Sequence, residues 1–161
     1  MNIAIIGYKN HARRLISIIN RLSICTKLII FHPDKHKLIN GFNQDGLEFK
    51  IIFTDSIEDL IEVSCIFIAT PTPIHYEYLV KFLPIFKGYI FCEKPPCSSL
   101  DEANNLHLLN NKDKERVYFN FNYRSSVLAE LCKDAIKNNK YGQLISLEFY
   151  SSHGMACNPN Y

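Results

Sequence analysis

The sequence predicts a doubly wound α/β fold built on a parallel sheet. Short apolar runs alternate with helical patterns along the chain, as they do in repeated strand–helix–strand units. One run, CIFIAT at 65–70, is apolar at almost every position, which is typical of a strand buried on both faces of a parallel sheet. The chain opens with MNIAIIGYKNHARR, an apolar run followed by a glycine and a basic helical stretch. Together these observations indicate a helix-covered parallel sheet.

The predicted strands lie at 3–6, 27–31, 50–55, 65–70, 88–94 and 116–121. A helix follows the first strand, because its apolar residues recur at helical spacing: Ala12, Leu15, Ile16, Ile19 and Leu22. Right-handed crossovers place the carboxyl ends of all these strands at one edge of the sheet. Ligands of such folds bind outside that edge, where the strand order reverses.

Capping patterns predict where the remaining helices begin. Ser56 is the expected N-cap of a short helix, and Thr72 caps a helix that has Pro73 at its first position. Pro84 should end or kink that helix. A serine at position 99 and a glutamate three residues later form a capping box for a helix across 99–111.

The last forty residues predict a helix and one strand. The helix is expected at about 125–139, and beyond Gly142 the residues Ile145, Leu147 and Phe149 alternate with polar ones. We therefore expect one domain over 1–122, followed over 123–161 by the first helix and strand of an incomplete α+β domain. The apolar face of that strand is a candidate interface, either between copies of this chain or with a chain that completes the domain.

Composition excludes several function classes. The chain has 161 residues and a net charge of +2, with 18 basic and 16 acidic residues and no long basic run, so nucleic acid is not an expected partner. The six cysteines form no C-x-x-C pair, which predicts reduced thiols in a cytoplasmic protein and no metal site. No signal peptide and no membrane span are expected.

The opening loop is a departure from the dinucleotide-binding fingerprint. Glycines in that fingerprint let the backbone approach a diphosphate at a helix N-terminus. Here the pattern gives Gly7, Lys9 and Ala12, so a lysine stands at the second glycine position. Its side chain would either crowd the diphosphate or meet it directly, helped by His11, Arg13 or Arg14. Asn10 is a further candidate for contact with the cofactor. An ordinary strand–turn–helix with a solvated basic start is the alternative.

The end of the second strand bears on the choice of nucleotide. A carboxylate there usually binds the ribose hydroxyls. This chain has His32 at that place, with Asp34 and Lys35 just beyond it. Because a histidine does not repel a 2′-phosphate, the pattern favours NADP(H) slightly over NAD(H), although a surface histidine before a turn explains it equally well.

Two further segments, IFIATPTPIHYEYLVKFL and GYIFCEKPPCSSLDEA, give the sequence a recognisable pattern. They resemble the Gfo/Idh/MocA oxidoreductases, as do VYFNFNYRSSVLAEL and YGQLISLEF further on. That family has an apolar strand ending in A-T-P, a histidine opening a helix, and a strand ending in E-K-P. The matching residues are Ala69, Thr70 and Pro71, then His75, then Glu93, Lys94 and Pro95.

The resemblance implies a Rossmann-like fold, an NAD or NADP cofactor, and hydride transfer on a sugar, inositol or related polyol. Lys94 would lie near the nicotinamide and hydrogen-bond the reacting hydroxyl, stabilising its developing negative charge. Glu93 would orient that lysine or contact the nicotinamide ribose. Pro95 would hold the turn through a cis bond.

Four more residues have roles implied by the resemblance. The backbone of Thr70 and Pro71 should pass the cofactor. Two positions have alternatives: His75 either contacts the cofactor or is a buried, hydrogen-bonded histidine, and Arg124 either meets cofactor or substrate or forms a salt bridge at the domain junction.

The resemblance also implies a large second domain with a histidine that assists proton transfer, and the sequence stops about where that domain should begin. We therefore expect either a truncated product or a stand-alone nucleotide-binding half. Besides an oxidoreductase, two readings stay open: a non-catalytic nucleotide-binding module, and an interaction subunit that pairs its last strand with another chain.

Overall fold

The computed structural model describes residues 1–36, 46–148 and 150. The chain divides into two compact units, Met1–Phe121 and a second unit that begins at Asn122. The first unit contains a six-stranded parallel sheet in the order β3-β2-β1-β4-β5-β6. The strands are β1 (Asn2–Ile6), β2 (Lys27–Phe31), β3 (Lys50–Thr54), β4 (Cys65–Ile68), β5 (Tyr89–Glu93) and β6 (Val117–Asn120). The predicted doubly wound fold is confirmed, and its order reverses between β1 and β4.

Helices pack on the two faces of this sheet. They are α1 (Asn10–Leu22), α2 (His75–Phe82), α3 (Leu100–His107) and α4 (Asn111–Arg116). The inner face of α1 buries Ala12, Ile16 and Ile19 in one apolar cluster. A second cluster is built around Leu79, Phe82 and Phe86 from α2 and the loop after it. Two separate apolar layers are what a sheet covered on both faces requires.

The ends of the helices correct two predicted caps. Ser56 does not cap a helix: Ile57 occupies the cap position of a short 3₁₀ turn at Glu58–Leu60, and the Ser56 hydroxyl instead donates to the Glu58 carboxylate. Thr72 is likewise no cap, because it lies within a 3₁₀ turn that precedes α2. In both places a tight turn replaces the first turn of the predicted α-helix.

Other local predictions are confirmed. The Ser99 hydroxyl accepts the backbone N–H of Glu102 at 3.2 Å, and the Glu102 carboxylate accepts the N–H of Ser98, so the capping interaction is present. The helix that precedes Pro84 ends at Phe82. The short helix α4 was not predicted, since it has no apolar stripe, but Asn110 caps it by accepting the N–H of Asp113 at 2.9 Å.

The second unit contains α5 (Val127–Lys137), which falls inside the predicted helix. Its N-cap is Ser126, whose hydroxyl accepts the N–H of Ala129 at 3.2 Å. The predicted final strand is wrong for residues 144–148, which form neither helix nor strand. A strand needs a neighbour to receive its backbone hydrogen bonds, and no strand of the described residues pairs with this segment. Phe149 lies outside the described residues.

Candidate functional site

The carboxyl ends of the parallel strands form one polar edge. Gly7 follows β1, His32 follows β2, Thr70 lies just beyond β4, Glu93 ends β5 and Asn120 ends β6. The order β2-β1-β4-β5-β6 places these residues side by side along the edge. The crevice at the β1–β4 reversal is where folds of this class bind ligands.

Gly7 brings the loop after β1 close to the end of β4. Its φ is +96°, and a Cβ atom at this position would lie 2.8 Å from the carbonyl oxygen of Ala69. Its N–H also donates to the carbonyl of Phe31 at 3.1 Å. Only glycine satisfies both the backbone conformation and the close approach, so this position of the fingerprint is retained for a steric reason.

Lys9 and the residues after it make a positively charged start for α1. Lys9 occupies the N-cap position with an extended backbone at φ −89°, which any L-residue adopts, and its side chain is exposed. The first helical turn, which includes Asn10 and His11, contains no acidic residue. Arg13 lies over the ring of Tyr8, 5.2 Å from its centroid. A thirteen-residue helix with such a start favours an anion at its N-terminus.

A cavity of about 250 Å³ opens beside Gly7 and the end of β2. Apolar atoms make most of its wall, and its lining residues are Gly7, Tyr8, Lys9, Phe31, His32, Pro33, Ala69, Thr70, Pro71, Ile74 and Tyr78. The Thr70 hydroxyl oxygen is buried and has no hydrogen-bond partner among the described residues. Because buried polar groups are almost always paired in a folded protein, this oxygen marks a place where a ligand would supply the missing bond.

His32 lines this cavity, but its ring contacts the backbone of the loop in which it lies. Its Nδ1 lies 2.9 Å from the backbone nitrogen of Asp34 and 3.0 Å from the carbonyl oxygen of the same residue. Lys35, the second basic residue expected near a 2′-phosphate, contacts Asp55 at 2.7 Å. This hydrogen bond holds the pKa of Asp55 below its ordinary value.

Glu93 is the centre of a polar cluster at the other side of the crevice. Its Oε1 accepts a hydrogen bond from Asn120 Nδ2 at 2.7 Å and lies 2.5 Å from Nε2 of His11. The contact with His11 lacks hydrogen-bond geometry, so Nε2 is a second buried polar atom without a hydrogen-bond partner in the described part of the chain. Sequence reasoning missed Asn120, although its position at the end of β6 is the signal that could have identified it.

His75 is 1% exposed and begins α2. Its Nε2 lies 2.7 Å from the carbonyl oxygen of Thr70, and its Nδ1 lies 2.7 Å from the carbonyl oxygen of Pro95. The structure therefore shows a buried, hydrogen-bonded histidine, and its contact with the cofactor stays a prediction. It joins the loop after β4 to the loop after β5, and so fixes the two walls of the crevice relative to each other.

Lys94 follows β5 with its side chain exposed, and the Lys94–Pro95 peptide bond is cis, as predicted. Arg124 lies in a 3₁₀ turn of the second unit, also exposed, and its carbonyl accepts from Lys133 Nζ at 3.3 Å. Across the described ranges no group of three or more histidine, cysteine or acidic side chains is arranged to hold a metal ion. No helix in the same ranges has the length and apolarity needed to cross a membrane.

These features define a class of protein. A parallel sheet in the order 3-2-1-4-5-6, a glycine at the β1 turn, and a basic helix start beside an apolar cavity form the framework of a dinucleotide-binding domain. The Thr70 hydroxyl, which is buried without a hydrogen-bond partner among the described residues, lines that cavity. The residues present therefore fit a nicotinamide dinucleotide.

Comparison with known proteins identifies the family. Residues 1–121 match the Gfo/Idh/MocA oxidoreductases, described as an oxidoreductase family with an NAD-binding Rossmann fold, and the chain belongs to this family. It is 29% identical over 97 residues to glucose-6-phosphate 3-dehydrogenase of Bacillus subtilis, which covers 60% of this chain and 27% of that protein. It is 30% identical over 92 residues to an uncharacterized oxidoreductase, YrbE, of the same organism, again over 27% of its length.

Solved structures show the same fold. Myo-inositol 2-dehydrogenase from Lactobacillus plantarum superposes with a TM-score of 0.67 at 22% identity, over 90% of this chain and 43% of that one. The WlbA dehydrogenase from Chromobacterium violaceum, solved with NADH and UDP-GlcNAcA, gives 0.71 at 15% identity, over 88% and 41%. The chain thus spans about a quarter of the curated relatives and about two-fifths of these structures.

Proposed function

We propose that this chain forms the cofactor-binding part of an enzyme that transfers a hydride between a nicotinamide dinucleotide and a sugar, inositol or related polyol. The observation that carries the proposal is the crevice at the β1–β4 reversal, where Gly7 and Thr70 approach each other beside the start of α1. Dehydrogenases of glucose 6-phosphate and myo-inositol among the similar proteins support the substrate class.

Each part of a dinucleotide has a complementary surface in the crevice. The diphosphate is assigned to the N-terminus of α1, where unpaired backbone N–H groups and the Lys9 ammonium favour negative charge. The adenosine is assigned to the 250 Å³ cavity beside His32 and Thr70, whose apolar wall suits a purine ring. The nicotinamide ribose then falls towards Glu93, whose carboxylate can accept hydrogen bonds from its hydroxyls.

Lys94 is the proposed catalytic residue. Oxidation of a secondary alcohol removes a hydride from carbon and a proton from oxygen, and the bound nicotinamide supplies the hydride acceptor. Lys94 hydrogen-bonds the substrate oxygen and stabilises the negative charge that develops there, while the proton passes to the histidine of a second domain that the family resemblance implies. The Nδ1 atom of His75 lies 2.7 Å from the carbonyl oxygen of Pro95, next to Lys94. This contact limits the movement of the loop that carries the lysine.

We infer a preference for NADP(H) over NAD(H) from the end of β2. His32 stands where a carboxylate usually selects the ribose diol of NAD, and it does not repel a 2′-phosphate. Because Lys35 is paired with Asp55, the preference rests on His32 and should be modest, no more than about tenfold in Kd.

Titration of the purified chain with NADH and NADPH tests the proposal. A ligand at a hundred times its Kd stabilises a protein by about 2.7 kcal/mol, so millimolar cofactor should raise the melting temperature visibly. Lys94→Ala should bind both cofactors like the unaltered chain but abolish any oxidation of a polyol panel. Absence of stabilisation by either cofactor contradicts the proposal, and binding with turnover that survives Lys94→Ala contradicts the role of the lysine.

A further inference from the structure

The contact between His11 and Glu93 crosses the crevice. His11 belongs to the first turn of α1, which follows β1, whereas Glu93 ends β5. Strand β4 lies between β1 and β5 in the sheet, so the two side chains meet above the end of β4. Neither side chain lines the cavity beside His32.

The contact blocks one oxygen of Glu93. A carboxylate binds two vicinal hydroxyls best when both of its oxygens accept, because each oxygen has room for about two hydrogen bonds. Oε1 already accepts from Asn120 Nδ2 at 2.7 Å, and Nε2 of His11 crowds the same oxygen at 2.5 Å. A ribose diol can therefore reach both oxygens of Glu93 only after His11 moves aside.

His11 is held less firmly than Glu93 at this contact. His11 Nε2 is buried yet makes no hydrogen bond of acceptable geometry, and the His11 side chain as a whole is 41% exposed, so it has room to turn outward. Glu93 is better enclosed, with its side chain 15% exposed and held by Asn120. Displacing the imidazole gives up its contact with Glu93, while Asn120 still holds the carboxylate in place.

We propose that His11 competes with the nicotinamide-side ribose for Glu93, and that Asn120 is a positioning residue that keeps the carboxylate aimed into the crevice. The proposal rests on the proposed function, because it assigns the ribose to Glu93. It makes His11 a determinant of cofactor affinity that acts on one half of the dinucleotide only. Ligands that end at the diphosphate do not reach Glu93, so this competition does not affect their binding.

Two smaller nucleotides distinguish binding at one half of the dinucleotide from binding at the other. ADP carries the adenosine and the diphosphate, and ADP-ribose adds the second ribose with its vicinal hydroxyls. In calorimetric titrations of the intact chain, His11→Leu should tighten the binding of ADP-ribose and NADH by about two- to fivefold, the range expected when a partly exposed charged contact is removed. ADP affinity should not increase, because ADP has no second ribose to reach Glu93. His107→Leu, the same substitution at the end of α3, is the matched control and should change none of the three.

A double-mutant cycle tests whether Glu93 is the group that His11 obstructs. In a Glu93→Gln background the gain from His11→Leu should disappear, because the carboxylate that His11 obstructs is gone. Asn120→Leu should weaken ADP-ribose binding without altering ADP binding, and Asn120→Asp should not restore it, since a second carboxylate cannot donate to Glu93.

The outcomes are distinct from those of the proposed function. If neither ADP, ADP-ribose nor NADH binds any variant, the nucleotide-binding proposal fails. If the unaltered chain binds all three and His11→Leu leaves ADP-ribose unchanged or weakens it, competition by His11 is refuted while nucleotide binding stands. An equal gain for ADP also refutes it, because the effect would then lie at the diphosphate.

Discussion

The unpartnered hydroxyl of Thr70 makes an unusual prediction: its removal should stabilise the protein. The oxygen is buried without a hydrogen bond, and a buried, unsatisfied polar group costs about 1–3 kcal/mol. Valine has nearly the same shape as threonine with a methyl group in place of the hydroxyl. Thr70→Val therefore breaks no bond of the free protein and should raise the free energy of unfolding by about 1 kcal/mol.

Thr54→Val is the matched control. Thr54 is 4% exposed, and its hydroxyl donates to the Asp59 carboxylate and accepts the N–H of Ser56 at 3.0 Å. The same substitution here leaves two partners unsatisfied and should cost about 1–3 kcal/mol. The two variants are thus expected to shift stability in opposite directions.

Urea unfolding followed by far-ultraviolet circular dichroism measures both effects, provided that the slope m is the same in each variant. Millimolar NADPH adds a second comparison, since Thr70→Val should lose part of the stabilisation by cofactor if the ligand supplies the partner of the hydroxyl. Destabilisation of the free protein by Thr70→Val, comparable to that of Thr54→Val, would refute the reasoning, because it would mean that the hydroxyl is already satisfied.

Three other predictions concern Gly7, Asp113 and Cys92. Gly7→Ala should destabilise by at least about 1 kcal/mol more than Gly46→Ala in the same unfolding assay, because both positions have positive φ but only Gly7 has a carbonyl in the way of a Cβ; equal losses would remove the steric argument. Burial would raise the pKa of Asp113, but hydrogen bonds from its neighbours outweigh this and hold the pKa below its ordinary 3.8, so its contribution is present above about pH 4 and is lost as pH falls further. Asp113→Asn should accordingly cost about 1–2 kcal/mol at pH 7 and progressively less as pH falls below about 4, whereas a constant loss across this range would contradict the ionic contribution. Burial raises the pKa of the Cys92 thiol to about 12, so iodoacetamide at pH 8 should alkylate the exposed Cys132 at least about tenfold faster, as peptide mapping by mass spectrometry would show; similar rates would contradict the burial of Cys92.

The strands could be predicted from the sequence because each is a short apolar run. Its side chains must be apolar whichever strand lies beside it in the sheet. A run such as residues 65–68 is buried on both faces whichever strand it pairs with. The end of the chain shows the limit of this reasoning. Alternation over 144–148 describes a strand with one covered face, but alternation supplies no partner, and no strand forms there in the described residues.

Whether a cap or a site contact could be predicted depended on how far apart its partners lie in the sequence. Ser99 was predicted correctly because its partner is three residues away, within reach of local reasoning. The contact of His11 with Glu93 joins residues 82 positions apart and depends on which strands are neighbours, so no local pattern reveals it. Once the order β1-β4-β5 is known, the meeting of the two side chains follows from their positions at the strand ends.

The unpaired hydroxyl of Thr70 is itself an argument about the ligand. Elsewhere among the described residues, buried hydroxyls are paired, as at Thr54, whose hydroxyl donates to Asp59 and accepts from Ser56. Thr70 Oγ1 departs from that rule, and it does so in the lining of the cavity at the β1–β4 reversal. An unrelated defect would have no reason to lie at this reversal. A ligand with oxygen atoms along its length, lying in that cavity, would give the hydroxyl a partner, and a dinucleotide has that shape.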